Sequence, residues 1–292
     1  PMAVEAVMAI TDAPLCLDSA NADALRAALR VYPGKALINS VNGEEASLER
    51  VLPLAKEFGA AVVALTMDDS GIPAEAETVP LARDLQLAAL TGSKYHAAQL
   101  SCAASLELMA AAKKRNSSVT AGVSINNLAL NENDIGRYRT FFKLSTPLRH
   151  EDDRQAVIEG LRNGTIDTIH SDHDPQDAEV KRQPFAEASD GAIGLETLLA
   201  AALRLHHSGD VELMTILRAM TSRPAEILGL ASGRIARGAP ADLILLDLDY
   251  PWQVSERDLR SRSRNTSFEG ARLAGKVMRT IVGGETVFKH AD

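Results

Sequence analysis

Residues 14–65 read PLCLDSANADALRAALRVYPGKALINSVNGEEASLERVLPLAKEFGAAVVAL, and their periodicity decides the fold class. Pro14–Asp18 is a short apolar run. From Ala22 to Val31 the residues Leu25, Ala28 and Leu29 recur at helical spacing. Ala36–Val41 is a second apolar run, set between the turn signals Pro33-Gly34 and Asn42-Gly43. Glu45–Phe58 puts Leu48, Val51, Leu52 and Ala55 on one helical face, and Ala60–Leu65 is a third apolar run. Short continuous apolar runs alternating with helices indicate parallel strands covered by helices.

The pattern extends in both directions. The N-terminal PMAVEAVMAITD has no basic start and no long apolar run. It reads as an amphipathic helix entering in mid-fold, neither a signal peptide nor a membrane span. Downstream, Ala82–Leu90, Ala103–Arg115 and Glu151–Asn163 read as helices. Tyr95–Leu100 and Val119–Val123 read as strands, Phe141–Ser145 as a further short one, and Thr168–Ser171 as a strand leading into Ser171–Pro175, SDHDP. Helices over Leu195–His206 and Leu213–Met220 follow. After Pro224 the character changes: Gly233–Gly238, Ala241–Asp247 and Met278–Val287 with its Gly283-Gly284 turn read as a small β-rich appendage.

A length of 292 residues suits one (β/α)₈ barrel of about 250 residues with an appendage. The 46% of hydrophobic and 24% of charged residues imply a packed core. A net charge of −8 with no Lys/Arg-rich run argues against nucleic acid as a partner. Cys16 and Cys102 cannot make a disulfide framework, so a reducing, cytoplasmic location is expected. His206 and His207, adjacent on a helix and about 100° apart, read as surface residues.

SDHDP is the densest polar cluster. A carboxylate just beyond a barrel strand points into the mouth where such barrels do chemistry, and it can hold a divalent metal or act as a general base. The competing reading is an Asx turn in which Asp172 caps nearby backbone N–H groups.

From Gly71 onward the chain resembles the class I dihydroorotases of the amidohydrolase superfamily. The carriers are GIPAEAE (Gly71–Glu77), YHAAQLSC (Tyr95–Cys102), LSTPLR (Leu144–Arg149), GTIDTIHSDHDP (Gly164–Pro175) and GLET (Gly194–Thr197). RPAEILGL (Arg223–Leu230), GAPADLILLD (Gly238–Asp247) and NTSFEGARLAGKV (Asn265–Val277) continue in order. The resemblance implies a barrel of pyrimidine biosynthesis that interconverts dihydroorotate and carbamoyl aspartate, with zinc polarising the ring carbonyl and activating water. Asp172 matches the family's catalytic and metal-facing Asp, and His96 the first His of its H-x-x-H strand motif. Asn127, Ser145 and Arg149 fall in its substrate-binding stretches. Five departures stand out. Gln99 replaces the ligating second His, Ser145 the substrate-binding Asn of N-P-P-L-R, and Gln176 a substrate-binding His. Asn126-Asn127 stands for the two His of T-P-H-H-L, and no H-x-H occurs anywhere. These changes imply an impaired enzyme, comparable with the non-catalytic homologues that scaffold aspartate transcarbamoylase.

Residues 1–70 instead resemble the pterin-binding barrel of corrinoid methyltransferases and dihydropteroate synthase relatives, through PLCLDS (Pro14–Ser19), KALINSV (Lys35–Val41) and AAVVALTMDDSG (Ala60–Gly71). That resemblance implies Asp18, Asn39 and Asp68 as contacts to a pterin or tetrahydrofolate edge. The alternative is that Asp18 and Asn39 merely cap the helices that follow.

Together these readings give an α/β fold: a (β/α) TIM-type barrel, hybrid or incomplete, with a C-terminal β-rich appendage. The expected organisation is a pterin-barrel-like segment 1–70, a dihydroorotase-like segment 71–232 and an appendage 233–292, a chimera either engineered or recombined. The first segment supplies three strands and the second three, or four with Phe141–Ser145. Asp18, Asn39, Asp68, Gln99 and Asp172 are expected at one end of parallel strands. Expected partners are a small-molecule ligand, a second copy of the chain or aspartate transcarbamoylase.

Overall fold

A computed structural model describes residues 2–11, 15–19, 21–41, 45–64, 77–116 and 118–290. The chain divides into two compact units, residues 1–100 with 104–122, and residues 101–103 with 123–292.

The first unit alternates helices and strands: α1 (Met2–Met8), β1 (Cys16–Asp18), α2 (Ala22–Val31), β2 (Leu37–Val41), α3 (Glu45–Phe58), β3 (Ala61–Ala64), α4 (Thr78–Thr91), β4 (Tyr95–Ala97), α5 (Ala103–Arg115) and β5 (Val119–Ser124), the last two reaching into the second unit by a residue or two. The strands pair in parallel in sequence order from β1 to β5. Leu17 and Ile38 lie in register, buried, and pack with Leu25 and Leu29 of α2 and Val51, Leu54 and Ala55 of α3. This is the side-chain alternation of strands: one face of the sheet takes the helices. α2 starts where it does because the Asn21 carboxamide accepts the N–H groups of Asp23 (2.9 Å) and Ala24 (3.1 Å).

The second unit begins within β5, whose six residues are all buried. It continues with α6 (Ile125–Ala129), α7 (Glu151–Arg162), β6 (Thr168–His170), α8 (Ala178–Lys181), α9 (Leu198–His207), α10 (Leu213–Met220) and α11 (Ser222–Leu228). β6 follows β5 in the strand order of the sheet. β7 (Leu243–Gln253), β8 (Arg272–Val282) and β9 (Glu285–Lys289) then form a separate antiparallel sheet, the expected appendage. Gly283 and Gly284, at φ 57° and 87°, make the two-residue turn between β8 and β9, as a hairpin with both central residues at positive φ requires. Gly275 has no room for a side chain: a Cβ there would lie 2.3 Å from Leu203 Cδ1 of α9.

One expected strand is absent. Residues Thr140–Phe142 form a 3₁₀ turn that overlaps the start of the predicted strand Phe141–Ser145. Side chains take carbonyls of this stretch instead: Ser267 Oγ donates to Phe141 O (2.9 Å) and Lys181 to Lys143 O. Lys181, 3% exposed, donates from Nζ to Thr140 O (3.0 Å), Lys143 O (3.2 Å) and Ser189 O (2.7 Å). Burial pushes its pKa down to about 8, against the pull of Asp190 and Asp174, while the three carbonyls favour the ammonium form.

Two stability predictions follow from these contacts. Lys181→Met leaves three carbonyls without their shared donor and is expected to cost about 2–5 kcal/mol by urea denaturation. The second concerns Glu151, which is held down at about 2 by hydrogen bonds from Arg154, then Gln155, with Asn131 adding to them against burial. A carboxylate depressed in the folded state stabilises it above the ordinary value of 4.5, and that contribution disappears as pH falls towards 2. The denaturation midpoint should drop over this window, and by less in Glu151→Gln. Partial exposure of the pair keeps the difference modest.

Candidate functional site

In the second unit the site is built at the ends of β5 and β6. Ser124, 1% exposed, is both the last residue of β5 and the N-cap of α6. Its Oγ accepts the Asn126 N–H (3.2 Å) and the Asn126 carboxamide Nδ2 (3.3 Å), and lies 3.1 Å from Asp172 Oδ2. A hydroxyl has one proton. With two N–H groups directed at the oxygen, that proton goes to the carboxylate. Asp172 itself sits two residues past β6 at φ 51°, a left-handed conformation that costs energy for a side-chain-bearing residue.

The rest of SDHDP is pinned from the segment 191–195. His173 Nδ1 accepts the N–H groups of Gly194 (3.2 Å) and Leu195 (3.4 Å), so this nitrogen carries the lone pair. A Cβ on Gly194 would lie 2.1 Å from Ser171 O, and one on Gly191 2.3 Å from Asp174 Oδ2. Only glycine allows these approaches. Buried Asn265 ties the two strips together: Nδ2 donates to Gly191 O (3.0 Å) and Asp174 O (3.4 Å), and Oδ1 accepts the Gln176 N–H (3.3 Å). The Gln176 carboxamide turns to Asp174 Oδ1 (2.8 Å). Burial raises the Asp174 pKa, with the Gln176 hydrogen bond opposing.

Asn127 is tied to the segment that carries Ser145 and Arg149. Asn127 Nδ2 donates to Pro147 O at 2.9 Å, at the centre of the segment flanked by half-buried Ser145 and Arg149. Arg149 Nε donates to Ser101 Oγ at 3.0 Å.

In the first unit a row of register partners runs Asp18, Asn39, Val63, His96, Thr120 across five strands. These positions alternate with Leu17 and Ile38, which face the helices, so the row lies on the other face of the sheet. Asn39 Nδ2 donates to Asp18 Oδ2 at 3.3 Å, and His96 Nδ1 lies 2.8 Å from Thr120 Oγ1. Neither Asp18 nor Asn39 is a helix cap: Asn21 caps α2, and Asn39 is inside β2. Gln99 stands two residues beyond β4. Asp68 and most of GIPAEAE lie outside the described residues.

Among the described residues no three His, Cys, Asp or Glu side chains converge in a way that could hold a metal. The Asp172 carboxylate accepts from the Ser124 hydroxyl, itself bonded to the Asn126 carboxamide, and both groups are poor zinc donors beside imidazole or thiolate. The donor set does not fit the zinc that the dihydroorotase resemblance implies. Ser124, Thr120 and Asn265 were not singled out from the sequence. Asn265 opens a recognised motif, but nothing local marks Ser124 or Thr120.

The profile described as "Amidohydrolase family" matches residues 56–287. The chain belongs to the amidohydrolase family. It is 40% identical over 220 residues to a dihydroorotase of Anaplasma phagocytophilum (strain HZ), covering 75% of this chain and 49% of the relative. A dihydroorotase of Anaeromyxobacter dehalogenans (strain 2CP-C) is 41% identical over 234 residues, covering 80% and 54%. This amidohydrolase chain thus spans about half the length of the curated relatives it matches. Among solved structures, L-hydantoinase (dihydropyrimidinase) from Arthrobacter aurescens superimposes with a TM-score of 0.87 at 22% identity, covering 96% of this chain and 70% of that one. Dihydropyrimidinase from Brevibacillus agri NCHU1002 gives 0.82 at 21% identity, covering 94% and 69%. These likenesses show the TIM-type α/β fold. Residues 2–103 also match the profile "Pterin binding enzyme", overlapping the first match over 56–103.

Ser124→Ala is expected to lower stability by about 1–3 kcal/mol, because the buried amide of Asn126 loses its acceptor and Asp172 a donor. Ser124→Thr, which keeps the hydroxyl, should recover most of the loss in the same denaturation experiment.

Proposed function

We propose that this amidohydrolase is a dihydroorotase-type site that binds cyclic amide acids of the pyrimidine lineage and hydrolyses them weakly or not at all. The observation that carries the reading is the hydrogen-bonded set Asn126–Ser124–Asp172, in which neutral groups meet the residue that matches the family's catalytic Asp. Opening a cyclic amide needs polarisation of the carbonyl and an activated water, each worth several kcal/mol of barrier when a metal supplies them. Asp172 remains as a candidate base, with Arg149, Ser145 and Asn127 as candidate ligand contacts. Neutral Ser and Asn groups give no comparable Lewis acid. A role beside aspartate transcarbamoylase in the cytoplasm, or in a homo-oligomer, is consistent with this lineage. So is an origin by joining a pterin-barrel-like piece, residues 1–70, to dihydroorotase-like segments 71–232 and 233–292.

A second reading is pterin or folate binding through the first unit. It is favoured by the Asp18–Asn39 pair and the match over residues 2–103. A pterin held on this row by few polar groups should bind more weakly than about 1 μM.

The test is turnover. Protein purified from zinc-supplemented medium should carry less than one zinc per chain and give no dihydroorotate hydrolysis at ordinary enzyme rates. Robust turnover abolished by a chelator would overturn the reading. Calorimetry with a tetrahydrofolate analogue, on the parent and on Asp18→Ala with Asn39→Ala, decides the second reading. Tight binding that survives both substitutions excludes the row as its site.

A further inference from the structure

Asn127 is 4% exposed, and its Oδ1 is buried without a hydrogen-bond partner among the described residues. The orientation of its carboxamide is fixed chemically. Nδ2 is 2.9 Å from Pro147 O, and two oxygens cannot share a hydrogen bond, so the nitrogen faces Pro147 and the oxygen faces away from it. Buried acceptors are rarely left unmet in folded proteins, because an unmade hydrogen bond there forfeits the hydration it gave up. Apolar residues of similar size would fill the same volume without that cost. The position has the mark of a group kept for something other than stability.

Its surroundings belong to the proposed site. Asn127 lies three residues after Ser124, the partner of Asp172, and is tied to the segment that carries Ser145 and Arg149. Both carboxamides of the Asn126-Asn127 pair are thereby assigned: Asn126 donates to Ser124, whereas Asn127 presents an acceptor.

We infer that Asn127 is a specificity-determining residue whose Oδ1 accepts an N–H of the bound molecule. The ligand class is a small acid with at least one unsubstituted amide or ureido nitrogen, its carboxylate suited to the Arg149 guanidinium. The inference rests on the cyclic-amide reading above and adds the atom that discriminates. A site that hydrogen-bonds a substrate N–H rejects the analogue lacking it, since the protein group is then left unpaired.

The probes are L-dihydroorotate and its two ring N-methyl analogues, measured by calorimetry against the full chain. The parent should bind dihydroorotate about tenfold or more tighter than one of the methylated analogues, and Asn127→Leu should lose that preference. Thermal unfolding is the second readout. Asn127→Leu also loses the donor to Pro147 O, so the readout is the shift on adding dihydroorotate. A residue kept for recognition predicts that dihydroorotate raises the unfolding temperature of the parent and much less that of Asn127→Leu, whereas a purely structural Asn predicts an equal rise in both. Equal binding of all three probes by the parent, or a preference that survives in Asn127→Leu, overturns the inference alone. Absence of any dihydroorotate binding to the parent overturns it together with the cyclic-amide reading.

Discussion

The Ser124 hydroxyl has one proton to give, and two N–H groups of Asn126 leave it a single direction, towards Asp172. Much of the second unit is arranged around this constraint. β5 must end at residue 124 for the hydroxyl to cap α6, and the chain after β6 must turn left-handed at Asp172 to present Oδ2 to it. A hydroxyl that is simultaneously a helix cap and a carboxylate partner couples the start of a helix to the geometry of the loop after another strand. Neutral donors stabilise a carboxylate by orientation rather than by charge, which suits recognition better than Lewis-acid chemistry.

That loop is held rigid by close backbone approach. Gly194 lets two strips of chain come within a distance that any Cβ would block, and Asn265 bridges the same strips with both ends of its carboxamide. Lys181 acts comparably elsewhere, gathering three carbonyls from two stretches of chain, 140–143 and Ser189. In both places one polar side chain satisfies backbone groups that no regular secondary structure reaches.

The two units show different relations between strand register and chemistry. In the first, direct register across five parallel strands puts Asp18, Asn39, His96 and Thr120 on one face; the register shift between β2 and β3 falls after Asn39 and leaves the row aligned. In the second, the polar groups lie in turns beyond the strands, and their placement depends on side-chain hydrogen bonds between distant segments.

The sequence by itself determined the alternation of strands and helices, the bounds of α2, α3, α5 and α10, and the glycine hairpin of the appendage. Each is set by local periodicity, capping or positive φ. It also marked Asp18, Asn39, Asp172, Asn127 and Arg149 as chemically interesting, and the amidohydrolase lineage through motifs that recur in order. Only the tertiary structure decided that Phe141–Ser145 is no strand, since the groups that take its carbonyls are the distant side chains of Lys181, on Lys143 O, and Ser267, on Phe141 O. Only it paired Ser124 with Asp172 and Thr120 with His96, and left the Asn127 oxygen unmet among the described residues. A side chain's partner across tens of residues is fixed by packing and by the count of available protons and lone pairs, and no local pattern records that count.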